Sequence, residues 1–159
     1  MRRGSLRLLA CVGSGLAAAV MVASPLTPEA RAVSEDNSAL LHPSTTSVKG
    51  ELTAVIDAQL AAFRADDFAK AYTFAAAEIR ELYPLSDFEE MVKAGYPVIA
   101  RSKLASYGLA LDAGDEAVVT VRVQTAEESA IYQYHLKKQG GRWKIAGVTA
   151  LKGEEGLVV

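Results

Sequence analysis

The clearest structural signal in the chain is an alternating run, Ala117-Val118-Val119-Thr120-Val121-Arg122-Val123-Gln124. Small or apolar residues at every second position predict a β-strand with one buried face, because successive side chains of a strand point to opposite sides. Three further runs have the same period, at residues 107–111, 130–137 and 142–146. The four runs together predict a sheet that is covered on one side.

Turn residues separate the four runs, and each link is only a few residues long: 112–115, 125–127 and 139–141. Such short links connect antiparallel neighbours, so we predict an antiparallel meander. In the first strand the alternation places Tyr107, Leu109 and Leu111 on the inward face. Asp112 and Asp115 then fall in a turn, where we expect them to be solvated.

Before residue 105 the apolar period changes to that of a helix. Leu52, Val55, Ile56, Gln59 and Phe63 fall on one arc of a helix that starts near residue 48 and ends near residue 65. A second helix is predicted after an N-cap at residues 66–67, with a stripe from residue 68 to residue 79. A third begins at a capping box of Ser86 and Glu89 and stops at Gly95. The predicted fold is therefore α+β, with three N-terminal helices on a four-stranded antiparallel sheet.

The N-terminus has the layout of an export signal. A basic head at residues 1–7 precedes an uncharged, mostly apolar run at 8–26, and small residues at 30 and 32 suit a cleavage site after Ala32. Cleavage after Ala23, a twin-arginine route and an uncleaved membrane anchor remain as alternatives. We therefore predict a signal peptide at 1–32 and an exported protein, periplasmic or extracellular.

The rest of the chain divides into three predicted segments. Residues 33–47 are polar without an apolar period and predict a disordered lead-in. Residues 48–152 form the predicted domain, and residues 153–159 form a C-terminal tail. A membrane association is expected only if the leader stays uncleaved.

Composition excludes several classes of function. The net charge is −2, and without a basic stripe we expect no nucleic-acid binding, since phosphate contacts supply most of that affinity. The single cysteine, Cys11, lies in the leader, which excludes disulfides and thiolate chemistry in the domain. The two histidines, His42 and His135, are too few for a metal site with several convergent ligands. We therefore expect no metal and no cofactor.

Particular segments resemble a known superfamily: residues 59–63, 66–67, 71–72 and 88–96, and the closing strand 141–148. They resemble the nuclear transport factor two-like superfamily of cystatin-like α+β cones. More narrowly, they look like an uncharacterised bacterial family within it that is catalogued as a domain of unknown function. The resemblance implies a curved sheet wrapped around the long first helix, with a pocket at the mouth of the cone. It implies no activity, because the superfamily includes isomerases, dehydratases, ligand carriers and interaction modules.

Five polar side chains are candidate ligand-binding residues. Gln59 falls in the middle of an apolar stripe, where its amide needs a partner, either the backbone of the second helix or a strand, or a ligand. Four tyrosines combine an apolar ring with a hydroxyl that also needs a partner. The predicted lining consists of Gln59, Tyr72, Tyr96, Tyr132 and Tyr134. The alternative is that the same residues are simply part of the core.

In the superfamily that the chain resembles, enzymes that shift protons need a carboxylate or a His–Asp pair inside the cone, where burial raises the pKa of a carboxylate. The acidic residues near the predicted elements, Asp57, Asp66, Asp67, Asp112 and Asp115, are predicted to be solvated or capping. This favours a non-catalytic domain in the bacterial cell envelope that binds a small apolar ligand or a protein partner. The alternatives are a lyase or isomerase that uses the cavity, and a structural adaptor or homodimer that acts through the sheet face near Val118 and Ile131.

Overall fold

The computed structural model describes residues 40–151. The predicted signal peptide with Cys11, the lead-in up to residue 39 and the predicted tail lie outside the described residues. Ten elements follow one another along the chain: β1 (His42–Pro43), α1 (Thr46–Arg64), α2 (Phe68–Thr73), α3 (Ala77–Leu82), α4 (Leu85–Gly95), α5 (Pro97–Ala100), β2 (Leu104–Ala113), β3 (Glu116–Gln124), β4 (Ser129–Gln139) and β5 (Arg142–Leu151).

The α+β class is as predicted, but the prediction of three helices on four strands is wrong. The described part of the chain has five helices and one antiparallel sheet of five strands in the order β1-β2-β3-β4-β5. The additional strand β1 lies within the predicted lead-in and pairs with the end of β2, His42 opposite Asp112. The residues of β2 that it pairs with are about seventy positions away in sequence, so no local pattern predicts this strand.

The predicted second helix is divided into α2 and α3 because the residues between them bind the sheet. Ala75 forms a parallel bridge with Ile145 of β5. The amide of Ile145 donates to the carbonyl of Phe74 at 2.9 Å, and the amide of Ala76 donates to the carbonyl of Ile145 at 2.8 Å. These bonds to a distant strand replace helical bonds, so the helix stops and restarts.

Helix starts follow local chemistry in two cases and depart from it in a third. Thr45 accepts from the amide of Val48 at the start of α1, and Asp67 accepts from the amide of Lys70 at the start of α2. The predicted capping box is wrong, since α4 begins at Leu85 and has no side-chain cap. Ser86 therefore lies inside the first turn, where its hydroxyl donates to Asp87.

The inward face of β2 changes at a bulge. The pairing with β3 shifts register between Tyr107 and Ala110, and beyond that point Ala110 and Asp112 are buried while Leu109 is 59% exposed. The prediction that Leu109 and Leu111 point inward is wrong, because an extra residue in a bulge reverses the alternation that follows it. Asp112 is buried rather than solvated, and its Oδ2 lies 3.9 Å from Nε2 of His42.

The core lies between α1 and the inner face of the sheet. Strand residues that the alternation predicts to point inward are buried there: Val119, Val121, Val123, Tyr134, Leu136, Trp143 and Ile145. The predicted stripe of α1 is buried at Leu52, Ile56, Gln59 and Phe63. The tight link between β4 and β5 is possible because Gly140 and Gly141 both adopt positive φ, 58° and 74°.

The predicted homodimer contact on the outer face of the sheet stays open. Val118 and Ile131, on the outer face of the sheet, are half-buried, and the homodimer through this face remains a prediction. Between residues 40 and 151, no helix combines the length and the apolar character that crossing a bilayer requires.

Candidate functional site

An apolar pocket of about 230 Å³ lies between the helices and the sheet. Its walls come from α1, from the segment between α2 and α3, and from α3, α4, α5, β4 and β5. Most of the lining is aliphatic or aromatic, as at Phe63, Ile79, Met91, Ile99 and Val148. The walls therefore carry few polar side chains.

An aromatic cluster supports the helical side of the pocket. The ring of Phe63 on α1 lies 5.5 Å from that of Phe68 on α2 and 6.3 Å from that of Phe88 on α4. Phe88 in turn contacts Tyr72 at a ring separation of 5.2 Å. Contacts of this kind contribute beyond the area they bury, so the cluster holds three helices at a common wall.

Gln59 lines the pocket and also makes a hydrogen bond to the protein backbone. It is 4% exposed, and its Nε2 donates to the carbonyl of Ala71 on α2 at 3.3 Å. The predicted hydrogen bond to the backbone of the second helix is therefore confirmed. The amide has two N–H donors and one acceptor oxygen, so this bond uses only part of its capacity.

Among the residues that line the pocket, Tyr134 has a buried polar atom without a hydrogen-bond partner in the described part of the chain. It is fully buried in β4, lines the pocket, and its hydroxyl has no hydrogen-bond partner within residues 40–151. Burial raises the pKa of this hydroxyl, so it carries its proton at neutral pH. Its neighbour at the wall, Tyr96, differs, since that hydroxyl donates to the carbonyl of Val148 at 3.0 Å.

Two of the predicted lining residues lie outside the pocket wall. The Tyr72 hydroxyl lies 2.7 Å from the carbonyl oxygen of Tyr83 and 2.9 Å from that of Arg80, and its single proton, donated to either, ties the end of α3 to α2. Tyr132 is buried beside Tyr96 with a ring separation of 6.3 Å, and burial raises the pKa of its hydroxyl. The structure thus brings together three of the five candidates, at positions 59, 96 and 134.

Several lining residues were not singled out by the sequence. Ile79, Met91 and Ile99 have the helical periodicity of ordinary core residues, and Tyr83 follows α3 in a short link. No local signal separates a pocket wall from a filled core, because both are built from the same apolar residues.

The chemical groups at the pocket walls limit what the site can do. In the described part of the chain, the lining includes no carboxylate, histidine, lysine or arginine. Asp57, Asp66 and Asp67 are exposed, and the Asp57 carboxylate accepts a hydrogen bond from the Tyr107 hydroxyl. Residues 40–151 also contain no cluster of three or more His, Cys, Asp or Glu side chains that could hold a metal ion. The walls can therefore enclose apolar surface and offer hydrogen bonds from neutral groups.

Replacing Gln59 with leucine is expected to lower the free energy of unfolding by at most about 1 kcal/mol. The carbonyl of Ala71 that it bonds also accepts from the amide of Phe74 at 3.2 Å, so no acceptor is left without a partner. Urea denaturation measures the change, with Gln133→Leu on the outer sheet face as the control. A decrease of about 3 kcal/mol in the free energy of unfolding would instead show that the hydrogen bond of the Gln59 amide is important for stability.

Comparisons with known proteins give a family but no activity. A family model described as "Domain of unknown function (DUF4864)" matches residues 45–156. No curated protein matches the chain. The solution structure of a SEC-C motif containing protein from Rhodopseudomonas palustris is similar, with a TM-score of 0.48 and 17% sequence identity, over 62% of this chain and 77% of that chain. This similarity is too distant to support a functional statement, and the nuclear transport factor two-like resemblance stays a prediction.

Proposed function

This chain belongs to the DUF4864 family, and we propose that it binds a small, uncharged and largely apolar ligand in the pocket between α1, α4 and β5. The observation that carries the proposal is an apolar cavity whose walls hold few polar groups, placed at defined positions. Sites of this composition are typical of small-molecule binding. The predicted export signal would place this activity outside the cytoplasm.

The volume of the cavity restricts the size of the ligand. At about 230 Å³ it is smaller than most ligand pockets, which run from about 300 to 1,000 Å³. An enclosed apolar cavity of about 150 Å³ is nevertheless enough to bind benzene. A single substituted ring or a short acyl chain therefore matches the space, and a sterol-sized molecule exceeds it.

Binding fits this site better than acid–base catalysis. A general acid or base needs a pKa near the working pH. The titratable side chains at the wall, within the described residues, are tyrosines, and burial moves the pKa of Tyr134 upward, away from neutrality. Among the described lining residues, the lyase or isomerase alternative therefore has no carboxylate or histidine to transfer the proton.

Titration with α-methylstyrene, a compact uncharged hydrocarbon, tests the proposal. We expect saturable amide chemical-shift changes in two-dimensional NMR spectra, concentrated at residues that line the pocket. Ile79→Trp should weaken this binding at least about tenfold, because Ile79 is half-buried at the wall and a larger ring occupies the space.

Leu82→Trp provides the matched control, since Leu82 is on the same helix, is 71% exposed and lies outside the lining. This variant should bind α-methylstyrene like the unmodified protein. Absence of saturable shifts in the unmodified protein, or equal loss in both variants, would rule out the pocket as the binding site.

A further inference from the structure

We propose that the ligand carries a neutral hydrogen-bond acceptor, such as a ketone, aldehyde or ester carbonyl, which accepts from the hydroxyl of Tyr134. This inference rests on the proposed function and specifies the class of molecule that the pocket takes. It is carried by the combination of a buried, unpartnered hydroxyl and an apolar cavity whose wall includes the same residue.

Tyr134 is the pocket-lining residue whose buried polar group makes no hydrogen bond at all within the described residues. The Tyr96 hydroxyl donates to the carbonyl of Val148, and Nε2 of Gln59 donates to the carbonyl of Ala71. The Tyr134 hydroxyl, in contrast, has no hydrogen-bond partner among residues 40–151. Buried donors without a partner are rare and destabilising, so an occupant that accepts this bond recovers what the free protein lacks.

The protonation state of Tyr134 determines the polarity of the expected contact. Burial raises the pKa of the hydroxyl, so it is a neutral O–H group at physiological pH and offers one proton. A carbonyl oxygen matches it, since it accepts and brings no donor of its own to be buried unpaired. A purely hydrocarbon ligand would fill the cavity and leave the Tyr134 hydroxyl without a hydrogen-bond partner.

The same walls exclude an anionic ligand. A carboxylate that enters the pocket loses its water, and this transfer is costly without a compensating cation. Among the described residues that line the pocket there is no lysine, arginine or histidine. The acceptor must therefore be uncharged, which separates carbonyl compounds from carboxylic acids of the same size at neutral pH.

Three probes of similar size and shape test the inference: acetophenone, α-methylstyrene and benzoate. They differ in the group beside the ring, which is a carbonyl, a methylene and a carboxylate. In the unmodified protein we expect acetophenone to bind about five- to tenfold more tightly than α-methylstyrene, the gain of one neutral hydrogen bond. Benzoate should bind at least about tenfold more weakly than acetophenone.

Tyr134→Phe should remove the preference for acetophenone and leave the affinity for α-methylstyrene nearly unchanged. Tyr132→Phe is the matched control, because Tyr132 is a buried tyrosine of the same strand that lies outside the pocket lining. It should keep the preference. The infrared carbonyl band of bound acetophenone gives a second readout, since a donated hydrogen bond lowers its frequency in the unmodified protein and not in Tyr134→Phe.

The outcomes separate this inference from the proposed function. Equal affinities for acetophenone and α-methylstyrene, with an unshifted carbonyl band, would overturn the role of Tyr134 while ligand binding stands. Failure of all three probes to bind would overturn the proposed function itself. If Tyr134→Phe does not fold, an unshifted carbonyl band in the unmodified protein still overturns the inference.

Discussion

Replacing Val121 with aspartate is expected to prevent the domain from folding. Val121 has no exposed surface and lies in the central strand β3, opposite Tyr107 on one side and Tyr132 on the other. The substitution removes a buried apolar side chain and introduces a carboxylate without a partner. Together these cost about 5 kcal/mol, which equals or exceeds the stability of many domains.

The adjacent residue supplies the control for this experiment. Arg122 is exposed on the opposite face of β3, so Arg122→Asp should change the free energy of unfolding by no more than about 0.5 kcal/mol. Circular dichroism and urea denaturation of both variants give the comparison. Similar stability of the two variants would mean that the inner face of β3 is wrongly assigned.

Phe63→Ala is expected to lower the free energy of unfolding by about 3–5 kcal/mol. Phe63 is buried on α1 and its ring contacts those of Phe68 and Phe88, so truncation removes contacts that join three helices. It also lies at the pocket wall, where the missing ring would enlarge the cavity. Urea denaturation measures the loss.

Leu82→Ala is the matched truncation outside the core. Leu82 is 71% exposed on α3, and its removal should cost no more than about 0.5 kcal/mol. A small effect of Phe63→Ala, close to that of Leu82→Ala, would show that the aromatic cluster does not hold the helices together.

The pocket depends on the break between helices α2 and α3, which has a clear physical cause. Residues 74–76 exchange backbone hydrogen bonds with Ile145, so α3 starts as a separate helix. Ala75 from this segment and Ile79 from α3 then both line the pocket. Tyr72 bonds the carbonyl of Tyr83 and holds the end of α3 in place. One uninterrupted helix from residue 68 to residue 79 could not make these contacts.

Part of the site could be predicted from the residues alone. Gln59 falls among apolar residues on one helical arc, and a buried amide requires a partner, which the carbonyl of Ala71 provides. Tyr96 and Tyr134 were candidates because their hydroxyls have the same requirement. The pattern did not distinguish them from Tyr72 and Tyr132, since the presence of a void beside a ring depends on how distant elements meet.

The amino-acid sequence by itself determined the α+β class, the antiparallel order of β2 to β5 and the inward face of β3 to β5. These properties depend on periodicity and turn length, which are local. Tertiary structure decided the strand β1, the break between α2 and α3, the bulge that buries Asp112 and the pocket beside Tyr134. Each of these features arises from contacts between residues that are far apart in the chain. A local sequence pattern carries no information about the energies of such contacts.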